Sequence, residues 1–278
     1  MIFGNEFHML KQEGYLAQSA LLTGIEALRK TDHDQPGNLY SALFQLSTGF
    51  ERLMKIALIV HHKGLNNLIN PKGNTLRNEM RHDLLKLYQT CKAYATELGI
   101  EQSKWAERDS IEWDFVKELS NFARGARYFN LDSFSENKSA MNIDPLINWN
   151  KLHLRIANAY INGARQVKLN ASAVSHCDNF KLYGFERSAT GDFITQVDAT
   201  FIHALLIEAN PYLVWTVIKI LRPFNQLLSR LTGIVRRLEE EKQMDAYTIP
   251  DMDEFFPMCF CDFRTATRRK RWASIYSP

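Results

Sequence analysis

The sequence predicts an all-α protein, a helical bundle followed by a second helical region that carries one small β-hairpin. Three observations support this. Apolar residues recur at steps of three and four over long segments. Glycine and proline are sparse, 13 and 8 in 278 residues, so the chain has few breaks. Only at residues 179–197, NFKLYGFERSATGDFITQV, do two short aromatic and β-branched runs flank a turn sequence.

The elements follow in chain order. A first helix is expected over residues 6–30, rich in Ala and Leu, and Asp34-Gln35-Pro36-Gly37 ends it. A second, over 39–63, stacks Leu43, Leu46, Phe50, Leu53, Ala57 and Val60 on one face, with Glu51 and Lys55 one turn apart toward solvent. A third, over 75–98, is closed by Gly99 and turns Met80, Leu84, Leu87 and Cys91 inward. A fourth, over 109–127, opens with an acid-rich turn suited to the positive end of a helix. Residues 132–144, DSFSENKSAMNID, are polar and non-periodic. They mark the expected boundary, with a bundle at 1–132, a linker at 133–144 and a helical region at 145–263.

Beyond the linker a helix over 145–168 is expected to lead into a loop, then the hairpin near 179–197. Two more helices follow, over 196–209 and 212–242, with Pro211 suited to the first turn of the second. Phe255, Phe256, Phe260 and Phe263 read as a docking segment that covers the core or a partner subunit, because left exposed they would form an aggregating patch.

Charge and composition exclude several classes. The formal net charge is +3, yet residues 264–278 alone carry +5, leaving −2 for the rest of the chain. The opening MIFGNEFHMLKQEG lacks the basic and continuous apolar parts of a signal peptide, so export is not expected. The most apolar tract, 212–218, is closed by Lys219 and falls short of the ~20 residues of a spanning helix. No membrane association is therefore expected. Cys91, Cys177, Cys259 and Cys261 make no disulfide framework in a chain this long, which fits a reducing cytoplasm. The chain has no GxSxG, GxxxxGK[ST] or GxGxxG sequence, so hydrolase, ATPase and dehydrogenase readings have no support.

No metal or cofactor is expected either. His61 and His62 are adjacent, and neighbours on a helix point about 100° apart. Cys259-Phe260-Cys261 lacks a second ligand pair. Glu107, Asp114 and Glu118 fall near one helical face without an ExxH partner, and a solvated face is the expectation.

One cluster carries chemistry. In Arg77-Asn78-Glu79-Met80-Arg81-His82, Asn78 and His82 are one helical turn apart, and Arg77 at the helix start can swing to the same rim. An imidazole moves the proton of a ribose hydroxyl near neutral pH, and a guanidinium clamps the anionic phosphate, without a metal. Arg81 adds a cation beside them. In the tail, Arg268, Arg269, Lys270 and Arg271 precede Trp272, a combination that neutralises phosphates and stacks on a base.

RNxxxH at 77–82 resembles the RxxxxH signature of HEPN-domain ribonucleases, the helical toxins and defence nucleases. The wider pattern over residues 15–131 is similar to that family in FERLMKIALIVHHKG at 50–64, RHDLLKLY at 81–88 and FARGARYFNLD at 122–132. The resemblance implies a cytoplasmic homodimer of toxin–antitoxin or phage-defence type. Two copies of Arg77, Asn78 and His82 would meet there, His82 handling the 2′-hydroxyl proton and Arg77 the phosphate charge, with RNA as substrate and a protein partner such as an antitoxin. In its other register the same resemblance makes His82-Asp83-Leu84 a structural element and places Arg124 to Asn130 on the final core helix, where no histidine stands. That register implies a noncatalytic module binding protein or nucleic acid.

Overall fold

Small residues on the first two helices let their backbones approach closely. Helix α1 (Asn5–Leu28) and helix α2 (Pro36–Leu65) run antiparallel. A methyl group added at Gly24 would lie 2.7 Å from Leu46 Cγ, and one added at Gly49 would lie 2.7 Å from Leu21 Cγ. The same register pairs Arg52 with Glu13 at 2.5 Å and Lys63 with Glu6 at 2.6 Å. This computed structural model describes residues 2–32, 35–72, 82–101, 105–125, 144–188 and 190–273, together with Phe129 and Phe134.

Helix α3 (Leu84–Glu97) and helix α4 (Ile111–Arg124) pack against α2. Of the expected third helix, residues 75–81 lie outside the described residues. Of the acidic face expected to be solvated, Glu107 is exposed ahead of α4, while the acids on α4 itself are partly buried in contacts. Glu112 pairs with Lys219, Asp114 pairs with Arg155, and burial raises the Glu118 carboxyl above the ordinary carboxylate range.

The single helix expected over 145–168 is two. Helix α5 (Pro145–Tyr160) stops at Ile161, and the Asn162 side chain accepts from the Arg165 amide at 2.9 Å to open helix α6 (Gly163–Phe180). The expected loop after 168 is thus helical to Phe180. The hairpin forms where the turn sequence places it. Strands β2 (Phe185–Arg187) and β3 (Phe193–Thr195) are antiparallel, with Phe185 opposite Thr195 and Arg187 opposite Phe193.

The two helices expected over 196–242 are one, helix α7 (Gln196–Glu241), with Pro211 and Pro223 inside it. Pro211 removes a backbone donor, but Leu213, Val214, Val217, Ile218, Leu221 and Phe224 are all buried, and packing on several sides carries the helix through. By length and composition α7 would suffice to cross a membrane; 61% of its most apolar window is buried inside this fold.

One buried core runs from Leu10 of α1 to Trp272 near the C-terminus, and a smaller cluster, Ala157, Ile161, Leu169, Leu205 and Ala209, underlies α6. The halves on either side of 133–144 share that core, and most of the linker itself is outside the described residues. After α7 the chain returns to its start. Strand β4 (Ala246–Tyr247) pairs in parallel with strand β1 (Ile2–Phe3), two 3₁₀ turns (Met252–Phe255 and Pro257–Phe260) follow, and helix α8 (Phe263–Arg268) lies on α7. Phe255 and Phe256 are buried, as a docking segment requires, while Phe260 and Phe263 stay exposed.

Candidate functional site

His82 is held at a corner between α3 and α4. Asp83 caps α3, its Oδ1 accepting from the Lys86 amide at 3.0 Å and from Ser120 Oγ at 3.2 Å. Arg124 of α4 reaches the other Asp83 oxygen at 3.4 Å. The corner turns His82 outward, its side chain 61% exposed, with Nδ1 2.9 Å from Glu51 Oε2 on α2. The second Glu51 oxygen accepts from Lys55 Nζ at 2.6 Å.

These residues line an open cleft of about 410 Å³ along α2, with Phe44, Arg52 and Ile59 also on its walls. A carboxylate at hydrogen-bond distance from Nδ1 favours the tautomer that carries its proton there and leaves Nε2 as the ring nitrogen not engaged by Glu51. Arg52 and Lys55 are cations within reach of an anion in the cleft, and each also contacts a carboxylate, of Glu13 and Glu51 respectively. Arg77, Asn78 and Arg81 lie outside the described residues.

The sequence named His82 and read Glu51 only as a solvent-side partner of Lys55. What it missed is the contact between Glu51 and His82 across 31 positions. The charged group Glu51, Arg52 and Lys55, set between the mostly apolar turns of α2 around it, is the signal that could have found it.

The tail differs from expectation at one residue. Trp272, read as a base-stacking ring, is fully buried within the main core. Its amide donates to Glu26 Oε2 at 2.9 Å, and Arg269 lies over its ring at 5.5 Å. Burial of so large an apolar ring outweighs its exposure to solvent, so it is not presented to a nucleic acid. Arg268, Lys270 and Arg271 remain exposed, and Arg269 is half-buried.

His61 and His62 do not converge. His61 is stacked on Tyr94 at 3.4 Å, with burial lowering its basicity, whereas His62 Nδ1 meets Asn66. Among the described residues no group of three His, Cys, Asp or Glu is arranged to hold a metal ion. Burial pushes the Cys259 thiol up to about 12 and raises that of Cys91 further, which removes both as nucleophiles.

A second, larger cavity of about 640 Å³ lies between α5, α7 and the hairpin, and none of its residues was assigned to a functional site from the sequence. Its lining includes Asp32, Asn150, His153 and Glu186, and His203 Nε2 lies 2.9 Å from Asp32 Oδ1. These residues come from distant segments, so no local spacing announces them. Comparison with protein-family models, curated proteins and solved structures gives no match.

Proposed function

We propose that this chain is a HEPN-type protein of the toxin or defence class that acts on RNA, as a metal-independent endoribonuclease with His82 as its proton-transfer group. The observation that carries the reading is the placement of His82, in an open cleft with Nδ1 2.9 Å from the Glu51 carboxylate. In the reaction, Nε2 takes the proton of a ribose 2′-hydroxyl, and the oxygen attacks the adjacent phosphorus. The P–O5′ bond breaks, and the leaving oxygen takes a proton from the imidazolium or from water. The products are a 2′,3′-cyclic phosphate and a 5′-hydroxyl. In this reading Glu51 steadies the imidazolium as it forms, and Arg52 and Lys55, which line the cleft, offset the phosphate charge. Arg77 and Asn78 complete the phosphate contacts in this reading, and Arg81 with the exposed tail cations Arg268, Lys270 and Arg271 supplies electrostatic attraction to the RNA backbone.

The test is cleavage of mixed RNA in EDTA. Wild type should cleave, and His82→Ala should lower the rate by about 10²–10⁴-fold, the usual contribution of a general acid–base group. Glu51→Gln should retain part of the activity and move the pH profile. Equal activity in wild type and His82→Ala, or none in either, would sink the nuclease reading.

One observation favours a second reading. Asp83, Ser120 and Arg124 tie the His-Asp-Leu corner to α4, as a purely structural element would. The chain is then a noncatalytic module that binds protein or RNA through the same bundle surface. Under that reading RNA affinity survives His82→Ala and falls steeply with salt.

A further inference from the structure

Among the described residues the larger cavity shares no lining side chain with the His82 cleft. Its walls come from the α1–α2 corner, α5, the inner face of the hairpin and the first turns of α7. Each wall is fixed before anything binds. Asp32 Oδ1 and His203 Nε2, 2.9 Å apart, tie the corner after α1 to α7. The Gln196 amide donates to the Gly184 carbonyl at 3.0 Å and clamps the base of the hairpin to the start of α7. At the hairpin's tip the Asp192 amide donates to Ser188 Oγ at 3.0 Å, and the Ser188 amide donates to the Asp192 carbonyl at 2.7 Å. A preformed cavity of about 640 Å³ has the size that holds a small organic molecule.

We propose that this cavity binds a protonated amine carried on an apolar body that also bears a hydrogen-bond acceptor. Charge is the first reason. Among the described lining residues three carboxylates, Asp32, Asp144 and Glu186, stand against one guanidinium, a surplus of two negative charges with the histidines uncharged. That guanidinium, of Arg187, is drawn to the hairpin's tip, where its Nε donates to the Gly191 carbonyl at 3.2 Å. Asp144 is spent on capping α5, accepting from the Leu146 amide at 2.8 Å, and Asp32 faces His203. Glu186 has no hydrogen-bond or ion-pair partner among the described residues, so its carboxylate is the seat for the ammonium. An anionic ligand meets repulsion here, and a phosphate finds no lysine among the described lining residues.

The second reason is what stands beside Glu186. The strand register sets Ile194 directly opposite it on the inner face of the hairpin, and Ile147 and Leu206 add to the apolar wall. A carboxylate set among apolar side chains attracts an opposite charge more strongly than one in open water, and an amine whose body covers those side chains gains from both contacts. The third reason is Trp149, which also lines the cavity. Its side chain is 2% exposed, and its indole N–H is buried without an acceptor. A buried donor left unsatisfied is costly, and an oxygen on the ligand's body supplies the acceptor.

The experiment is isothermal titration calorimetry of the full chain at neutral pH with three ligands of similar shape: tyramine, a cation; tyrosol, neutral; and 3-(4-hydroxyphenyl)propionate, an anion. Tyramine should bind with a Kd of about 1 mM or tighter, tyrosol about tenfold more weakly, and the propionate most weakly. Glu186→Gln removes the charge from a side chain without partners, and should bring tyramine to the affinity of tyrosol while leaving tyrosol unchanged. Ile194→Trp fills the cavity from the strand and should remove binding of both; if it alters the circular dichroism, Ile147→Trp on α5 carries the same expectation. No tyramine binding at about 10 mM overturns the proposal. So does a wild type that binds the anion as well as the cation, a preference for the cation that survives Glu186→Gln, or binding retained in both tryptophan variants. His82→Ala should leave all three affinities unchanged, so a failure of the ribonuclease reading stays separable from a failure of this one.

Discussion

Two aromatic strips of this chain look alike in sequence and end in opposite environments. Residues 252–272 carry Phe255, Phe256, Phe260, Phe263 and Trp272 with basic neighbours, and residues 180–195 carry Phe180, Tyr183, Phe185 and Phe193 with Lys181 and Arg187. In the first, Phe255, Phe256 and Trp272 are buried in the chain's own core; in the second, all four rings face outward. The difference lies in what each strip meets. The C-terminal strip finds a seat on α1, where Gly14 leaves room for the Phe255 ring and Gln18 Nε2 donates to the Phe255 carbonyl at 2.7 Å. The hairpin projects from the end of α6 and spends only its inner face on the molecule. Aromatic content alone thus does not separate a buried strap from an exposed flank; the presence of a fitted seat does.

The comparison breaks most visibly at Trp272. Replacing it with Ala removes a fully buried indole and should cost about 3–5 kcal/mol, read as a lowered urea midpoint. An effect below about 0.5 kcal/mol, the range of ordinary surface changes, would mean that the strip is not part of the core. Gly14→Ala comes next. A Cβ there would sit 2.8 Å from the Phe255 ring, so seat and ring cannot both stay in place, and overpacking of this kind costs about 1–3 kcal/mol. Combined with Phe255→Ala it should cost less than the two changes added, because the clash is gone.

A smaller effect depends on pH. Lys30 and the Trp272 amide hold the Glu26 carboxyl down to about 2, below its ordinary 4.5. A carboxyl depressed by folding favours the folded state above its unfolded value, so this contribution is complete above pH 4.5 and disappears as pH falls through about 2. Acid should therefore loosen the tail before the bundle unfolds, measured as faster amide exchange at Trp272 and Ala273, whose amides Glu26 accepts. In Glu26→Gln that exchange should be fast at every pH. Slow exchange in the variant at neutral pH would count against the carboxylate as the anchor.

The same contrast explains what the sequence made legible. Periodicity placed the helices of the bundle because their apolar faces are buried along their whole length, and the turn at 188–192 placed the hairpin because its residues suit no regular element. Helix boundaries failed where tertiary packing outweighed local signals. Pro211 reads as a start, yet the buried run from Leu213 to Phe224 carries α7 through it, and the Asn162 cap splits a helix whose periodicity looked continuous. At the site, His82 was visible by residue type and by its place before Asp83-Leu84. Glu51 was not, because its contact with His82 depends on how α2 meets the corner of α3. Trp272 was misread for a similar reason, since a ring beside five cations has the same local pattern docked or free.

The smallest effect belongs to the hairpin and sharpens the comparison most. Phe193→Ser removes an aromatic that is already 81% exposed, so it should change stability by no more than about 0.5 kcal/mol. Trp272→Ala should move the urea midpoint much further, because its contacts lie within the core. The two strips are thereby separated by a single measurement, and a loss in Phe193→Ser as large as that in Trp272→Ala would mean that the hairpin's aromatics have a seat of their own.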